Sequence, residues 1–330
     1  MKQNLACVYG ARCASYLIFI LSTFLVFFFS AAHAASAIPP TENIYYIAEH
    51  LVEAAQDARY FALPWTTAAA PQDEWRPVVS VAGADFGSEL ASARGGLLTV
   101  GFERRWSASK SYSLLAFYDS FNVYGDSSEN VLIAGPIKNP PLDIPEHAIF
   151  SNPGGKFTHG GIGLVVRHNG NNPSENGWAT MWGVLLERLA LSDYRIDYRL
   201  TTGADAGAKG SLEYSGTNYF VTPFYGGQYH YDLGSQYSLL PRVAMGVPLP
   251  TGKITTRMTG PGFNLTDEST GGEQIRVGDG YLVLGVGLRD ENTHLELDLG
   301  SVVTFPLIER LTHEGINSGV MLSVTWRGAG

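Results

Sequence analysis

Most of the chain alternates apolar with polar residues at a period of two, the spacing typical of β-strands. The stretch DYRIDYRLTT (193–202) alternates Tyr, Ile, Tyr and Leu with charged residues, and THLELDLGSV (293–302) alternates Leu with His, Glu and Asp. An apolar face opposite a charged face predicts strands that separate two different environments. We expect lipid on the apolar side and a polar barrel interior on the other.

The runs of alternating residues are long, and most span nine residues or more. Strands of soluble sandwiches are usually about 5 to 6 residues long, whereas a tilted strand that crosses a bilayer needs about 9 to 11. The lengths therefore favour a transmembrane antiparallel β-barrel over a soluble periplasmic β-sandwich. The predicted strands are 78–86, 97–106, 111–124, 131–138, 157–168, 178–189, 193–203, 219–232, 236–247, 279–290, 293–303 and 319–327.

The connections between these runs fall into two classes. Short turns at 107–110, 189–193, 234–236 and 290–293 contrast with long loops at 125–155, 204–218, 248–278 and 304–318. Outer-membrane barrels have short periplasmic turns, long external loops and an even number of strands. Turns and loops alternate consistently only if 131–138 is a strand, which predicts twelve strands, with ten as the alternative.

Charged residues at the polar positions of the strands are predicted to face the barrel interior. Positive and negative members are nearly balanced, so we expect them to neutralise one another, and the alternative is a charged constriction that selects a solute. An unpaired buried charge would cost several kcal/mol in either case. These residues are Glu103, Arg105, Arg167, Glu187, Arg195, Asp197, Arg199, Arg242, Arg289, Glu296 and Asp298.

Aromatic residues cluster near the predicted strand ends. Their amphipathic rings favour the headgroup region of a membrane, so they predict an aromatic girdle. We therefore expect outer-membrane lipid and lipopolysaccharide as contacts of a protein that is otherwise monomeric. The predicted girdle consists of Trp106, Tyr112, Trp178, Tyr194, Tyr219, Tyr231, Tyr237, Tyr281 and Trp326.

The first 77 residues differ from the rest. Residues 1–34 have the positive, apolar and small-residue regions of a cleaved signal peptide. Residues 35–77 include TENIYYIAEHLVEAAQDARY, whose apolar residues have helical spacing, and this segment is a possible plug of the lumen. The barrel is predicted over 78–330. Loss of the signal would change the net charge from −9 to −11, which does not suit binding to nucleic acid.

The sequence contains no recognisable catalytic motif. A Gly-x-Ser-x-Gly elbow is absent, and the histidines lack the spacing of metal ligands. His230 and His294 occupy predicted inward positions, where simple hydrogen bonding is the expected role. We therefore predict no catalytic residue, no metal and no cofactor.

These features together resemble outer-membrane β-barrel proteins of Gram-negative bacteria. A barrel preceded by a short helix is similar in architecture to a solitary autotransporter-like β-barrel domain. The resemblance implies insertion into the outer membrane by the barrel-assembly machinery, for which Trp326 in the last strand would be part of the signal. The expected function is a non-catalytic small or plugged pore, or an envelope-structural protein. The alternative is an outer-membrane enzyme that acts on lipid or peptide.

Overall fold

The computed structural model describes residues 74–87, 91–107, 109–125, 131–132, 147–169, 177–203, 206–234, 236–260, 263–270, 279–306 and 318–328. The predicted signal peptide and nearly all of the predicted helical segment lie outside these residues, so both stay predictions. Among the described residues, no helix is long and apolar enough to span a membrane.

The described residues form β-strands joined by turns. The strands are β1 (Trp75–Gly87), β2 (Ala91–Ser107), β3 (Lys110–Gly125), β4 (Val131–Leu132), β5 (His147–Asn169), β6 (Gly177–Leu200), β7 (Lys209–Asp232), β8 (Tyr237–Gly246), β9 (Leu249–Gly260), β10 (Phe263–Thr270), β11 (Asp279–Asp290), β12 (Leu295–Pro306) and β13 (Ser318–Arg327).

Ten of these strands close into an antiparallel barrel. Around the ring the order is β1, β2, β3, β5, β6, β7, β8, β11, β12 and β13, and β13 pairs with β1 to complete it. One end of the barrel carries the start of β1, the end of β13 and the turns after β2, β7 and β11, and we name it the short-turn end. The opposite end is the loop end.

The barrel therefore has ten strands, the stated alternative, and the preferred number of twelve is wrong. The predicted strands 178–189 and 193–203 are one continuous strand, β6, and 189–193 is not a turn. Of the predicted strand 131–138, only Val131–Leu132 lies among the described residues, and it pairs with β5 outside the ring. The predicted loop 248–278 contains the paired strands β9 and β10.

A bulge interrupts β6 at the residues that were predicted to turn. Leu191 pairs with Gly216 and Tyr194 with Tyr214, so β6 has one residue more than β7 over this step. Asp193 has a φ of 55°, which absorbs the extra residue. One extra residue exchanges the inward and outward positions of the rest of the strand.

Beyond the bulge, the wall continues as a sheet that is not part of the closed ring. The second half of β7 pairs with β8, but its first half, Ser211 to Val221, pairs with β9. This extended sheet lies past the loop end of the barrel and consists of parts of β4, β5, β6, β7, β9 and β10.

Burial alternates along the barrel strands and separates an interior from an outer face. In β3 every second residue from Ser111 to Val123 is buried. The loop half of the interior is apolar and aromatic, with Phe121 stacked on Phe157 at 5.0 Å between ring centroids. The short-turn half is charged, as described below.

The outer face of the ring is strongly apolar. The exposed large aliphatic and aromatic side chains there are between 37 and 65% exposed, and they cover neighbouring strands around the ring. Contiguous exposed apolar surface of this kind marks contact with a membrane or another apolar partner. Examples are Val79, Val81, Leu98, Val100, Phe102, Leu114, Ile162, Leu186, Val221, Leu297, Leu322 and Val324.

Candidate functional site: the charged interior of the barrel

Glu103 of β2 is the centre of an ion-pair network at the short-turn end. Arg76 Nε donates to Glu103 Oε1 at 2.7 Å, and Arg327 Nη1 donates to Glu103 Oε2 at 2.8 Å. The three side chains are at most 2% exposed. The Glu103 carboxylate thus links β1, β2 and β13 through two charge-assisted hydrogen bonds. Strands β1 and β13 form the seam that closes the barrel.

Arg242 of β8 extends this network past one complete strand. It donates to both Glu296 and Asp298 of β12, although β11 lies between β8 and β12. The crossing is possible because Gly287 of β11 has no side chain: a Cβ there would lie 2.5 Å from Asp298 Oδ1. Arg327 Nε lies 3.7 Å from Glu296 Oε2 and connects this part to Glu103.

Two further arginines lie in the same half of the interior. Arg289 Nη2 pairs with Glu291 Oε2 at 3.0 Å, where the glutamate is partly exposed near the short-turn end. Arg167 of β5 is buried and Arg167 Nη1 donates to Gln228 Oε1 of β7 at 3.4 Å. We call Arg76, Glu103, Arg242, Glu296, Asp298 and Arg327 the ion-pair network.

A second cluster lies midway along the barrel, between the ion-pair network and the apolar half. His159 of β5 places Nδ1 at 2.6 Å from Asp119 Oδ2 and Nε2 at 2.8 Å from Glu187 Oε2. An imidazolium, which donates from both nitrogens, satisfies both contacts. The side chains are at most 2% exposed, and Phe117 packs against the imidazole ring at 5.1 Å between centroids. We call these three residues the His159 cluster.

The buried arginines and carboxylates of the described interior are equal in number. Five arginines are buried against five carboxylates, with His159 in addition. The arginines are Arg76, Arg167, Arg242, Arg289 and Arg327, and the carboxylates are Glu103, Asp119, Glu187, Glu296 and Asp298.

Eight of the predicted interior residues lie inside the barrel. Arg105 is partly buried, and the other seven are buried: Glu103, Arg167, Glu187, Arg242, Arg289, Glu296 and Asp298.

The inward placement of Arg195, Asp197 and Arg199 is wrong. These three residues follow the bulge in β6, which turns them to the outer face of the extended sheet. There Arg195 donates to Asp197 at 2.6 Å and to Glu213 at 3.0 Å, with side chains 38 to 55% exposed.

The predicted aromatic girdle is also divided. Seven of its nine members lie on the outer face. Two of these are half-buried, Tyr112 and Tyr231, and five are exposed: Trp106, Trp178, Tyr219, Tyr237 and Trp326. Near the short-turn end, rings from neighbouring strands contact edge to face, as in the pairs Trp106–Tyr112 at 5.9 Å and Trp178–Tyr229 at 5.3 Å.

Two girdle assignments, Tyr194 and Tyr281, are wrong because both rings are buried in the interior. Tyr194 lies after the bulge, and its ring occupies the space above Gly155. Tyr281 occupies the corresponding space above Gly246, where any Cβ would collide with the phenol. In both places a glycine on one strand makes room for a ring from the next.

Four buried Arg, Asp or His residues of the described interior were not predicted: Arg76, Asp119, His159 and Arg327. For two of them, the alternation of the strand indicates the inward face. His159 is an even number of residues from inward Arg167, and Arg327 is next to outward Trp326. Arg76 was missed because β1 begins at Trp75, before the predicted strand. Among the described residues, no group of three His, Cys, Asp or Glu side chains is arranged to hold a metal ion.

Comparisons with known proteins find similar solved structures but no relative in sequence. No family model matches the chain, and no characterised protein matches it in sequence. The outer-membrane protease OmpT from Escherichia coli is similar with a TM-score of 0.43 and 7% identity, over 79% of this chain and 100% of that chain. The translocator domain of the autotransporter NalP from Neisseria meningitidis is similar with a TM-score of 0.46 and 12% identity, over 86% and 99%. The toluene transporter TbuX from Ralstonia pickettii is similar with a TM-score of 0.37 and 9% identity, over 83% and 94%.

The fold is a closed antiparallel β-barrel of ten strands with an apolar outer face and a charged interior. The solved structures that it resembles are outer-membrane barrels and include autotransporter translocator domains.

Proposed function

We propose that this protein is an integral, non-catalytic protein of the outer membrane whose barrel is closed by its own interior side chains. The short-turn end faces the periplasm, and the extended sheet of β4 to β7, β9 and β10 projects outside the cell. The protein acts as an envelope-structural barrel or as a pore that opens only when its interior is displaced.

The height of the apolar outer face supports insertion in the membrane. On neighbouring strands the pair Trp178–Tyr229 marks one border, and the pair Arg188–Tyr219 lies ten residues further on. Ten residues of strand span about 34 Å, which a tilt of about 40° reduces to about 26 Å. Outer-membrane barrels have an apolar band about 25 Å tall. Trp182 lies within this band and is 53% exposed.

The balanced, buried ion pairs carry the proposal of a closed interior. A pore that selects one sign of charge is lined by an excess of the opposite sign, whereas the buried arginines and carboxylates here are equal in number. The ion-pair network also contacts or crosses six neighbouring strands, from β8 through β11, β12, β13 and β1 to β2. Side chains fixed in this way fill the lumen and do not line a passage.

Membrane fractionation and conductance test the proposal. The protein should remain in the outer-membrane fraction after alkaline extraction and should migrate faster on gels before heating than after it. Wild-type protein in planar bilayers should show little conductance. Recovery from the periplasm as a soluble protein, or a steady open conductance, would contradict the proposal.

The segment 35–77 is the second element proposed to close the lumen, on the basis of its length and its position before β1. A variant that lacks 35–77 should conduct more than wild type if the segment plugs the barrel. If the deletion leaves conductance unchanged while Glu296→Gln increases it, the ion-pair network alone closes the interior.

The His159 cluster favours the alternative function, an enzyme that acts on lipid or peptide. A histidine held by carboxylates is a common arrangement for general acid–base work. Its burial, at most 2% exposed, argues against access by a substrate. Hydrolysis of phospholipid, lipid A or peptide by wild-type protein, and its loss in His159→Ala, would favour the enzyme.

A further inference from the structure

An apolar groove of about 610 Å³ lies on the outer face of the barrel, near the short-turn end. It crosses β1, β2, β3, β5 and β6. Its floor is low at Ala116, which pairs with Val100 on one side and Ile162 on the other. The larger side chains around this alanine form the walls: Val79, Val100, Phe102, Leu114, Ile162 and Leu186.

Basic side chains border the groove on the side of the short-turn end. Arg104 follows Phe102 by two residues on the same face of β2, and its guanidinium lies 5.9 Å from the centroid of the Trp75 ring. One step further, Lys110 of β3 pairs directly with His168 of β5, and both are exposed.

The spacing between the groove and its basic border matches the spacing between the acyl chains and the phosphate of one lipid molecule. Two residues along a strand span about 7 Å, so Arg104 lies just beyond the groove wall at Phe102. Lys110 lies two residues further toward the short-turn end than Arg104. Exposed Trp75 and Trp106 lie at the same height. Indole rings at a membrane border mark the level of the lipid headgroups.

The geometry points to a binding site for one phospholipid with an anionic headgroup, drawn from the periplasmic leaflet of the outer membrane. An acyl chain fills the groove over Ala116, and the headgroup phosphate contacts Arg104, Lys110 and His168. This inference rests on the proposed function, because it needs the barrel to lie in the membrane with its short-turn end in the periplasm.

The charges of this face favour an anionic lipid over a second copy of the chain. The described outward positions of β1, β2, β3, β5 and β6 around the groove carry no Asp or Glu. Glu74, just before β1, is exposed at the short-turn end. Asp232 ends β7, next to β6, and Asp290 and Glu291 lie at the turn after β11, across the barrel. A symmetric dimer through this face would bring two basic clusters together, which is unfavourable.

Native mass spectrometry of the delipidated full-length protein in detergent micelles tests the site, with phosphatidylglycerol and phosphatidylethanolamine as probes. Wild-type protein should retain one phosphatidylglycerol in preference to phosphatidylethanolamine. Each of Arg104→Gln and Lys110→Gln should weaken retention of phosphatidylglycerol about fivefold, the effect of one cation near a membrane surface. Arg188→Gln, an exposed outward arginine at the opposite border, is the matched control and should have no effect.

Ala116→Phe tests the groove independently, since the ring would occupy the space of the acyl chain. Val286→Phe adds a similar ring to an outward position of β11, on the opposite side of the barrel, and serves as its control. The site is contradicted if Ala116→Phe and Val286→Phe retain lipid equally, if the cation variants match Arg188→Gln, or if lipopolysaccharide displaces phosphatidylglycerol. Gel migration before and after heating reports folding of every variant, and alkaline extraction tests membrane insertion. A barrel that is folded and inserted but retains no lipid contradicts this inference alone.

Discussion

Replacing Glu103 by glutamine should destabilise the barrel strongly. Glu103 accepts from Arg76 at 2.7 Å and from Arg327 at 2.8 Å, and its side chain is 1% exposed. Glutamine keeps the size of the side chain but removes the charge that two buried guanidinium groups share. Removal of one partner from a buried ion pair costs about 3 to 5 kcal/mol, because the remaining charge stays buried without compensation. We expect a loss in this range in the free energy of unfolding.

Glu213→Gln is the matched control for this substitution. Glu213 accepts from Arg195 at 3.0 Å, with similar bond geometry, but the two side chains are 38 and 55% exposed. Exposed ion pairs contribute about 0.2 to 1 kcal/mol. The same chemical change should therefore have a small effect in the extended sheet and a large effect inside the barrel.

Urea unfolding from lipid vesicles, followed by tryptophan fluorescence, measures both variants against wild type. The gel migration of unheated protein confirms that each variant starts folded. Equal losses for Glu103→Gln and Glu213→Gln would refute the reasoning, since Glu103 is buried between two guanidinium groups and Glu213 is exposed beside one. A loss below about 1 kcal/mol for Glu103→Gln would refute it as well.

Three further changes test other parts of the structure. Gly287→Ala should cost about 1 to 3 kcal/mol in unfolding free energy, because its methyl group meets the Asp298 carboxylate, whereas Gly300→Ala should cost less since its nearest neighbour is 3.5 Å away. A backbone N–H of the following turn donates to Asp290 and lowers the pKa of Asp290. The stabilisation from this hydrogen bond is therefore complete above the pKa of Asp290 in the unfolded chain. It is lost as the pH falls through the pKa of Asp290 in the folded protein. Asp290→Asn should flatten the acidic part of a plot of unfolding free energy against pH. His159→Ala should destabilise the barrel at neutral pH, because it leaves two facing buried carboxylates, and an unchanged urea midpoint would contradict this.

Alternation alone predicted most of the wall, because a regular strand fixes which side chains share a face. Glu296 and Asp298 were assigned to the same face from the letters THLELDL, and both are buried. Their shared partner could not be predicted in this way. Arg242 reaches them across β11, and that contact depends on the ring order and on Gly287, neither of which leaves a local signal.

Alternation also failed for the loop half of the interior, because it indicates two faces without saying which environment each face meets. Phe121 and Phe157 lie on the same inward faces as charged residues nearer the short-turn end. An interior that is charged at one end and aromatic at the other presents both kinds of residue on one side of a single strand. Composition averaged over a strand therefore could not predict where the change occurs.

The bulge in β6 connects these two observations. Arg188 marks the height at which the apolar outer face ends, and the extra residue follows at 192–193. Below this height the outer face is apolar and charges face inward, as the proposed insertion in lipid requires. Above it the outer face meets water, and charged residues are stable there without partners in the interior. Without the extra residue, Arg195 and Asp197 would face the aromatic interior. The alternating pattern of DYRIDYRLTT is thus the same as that of a membrane strand, but the bulge reverses which face is inside.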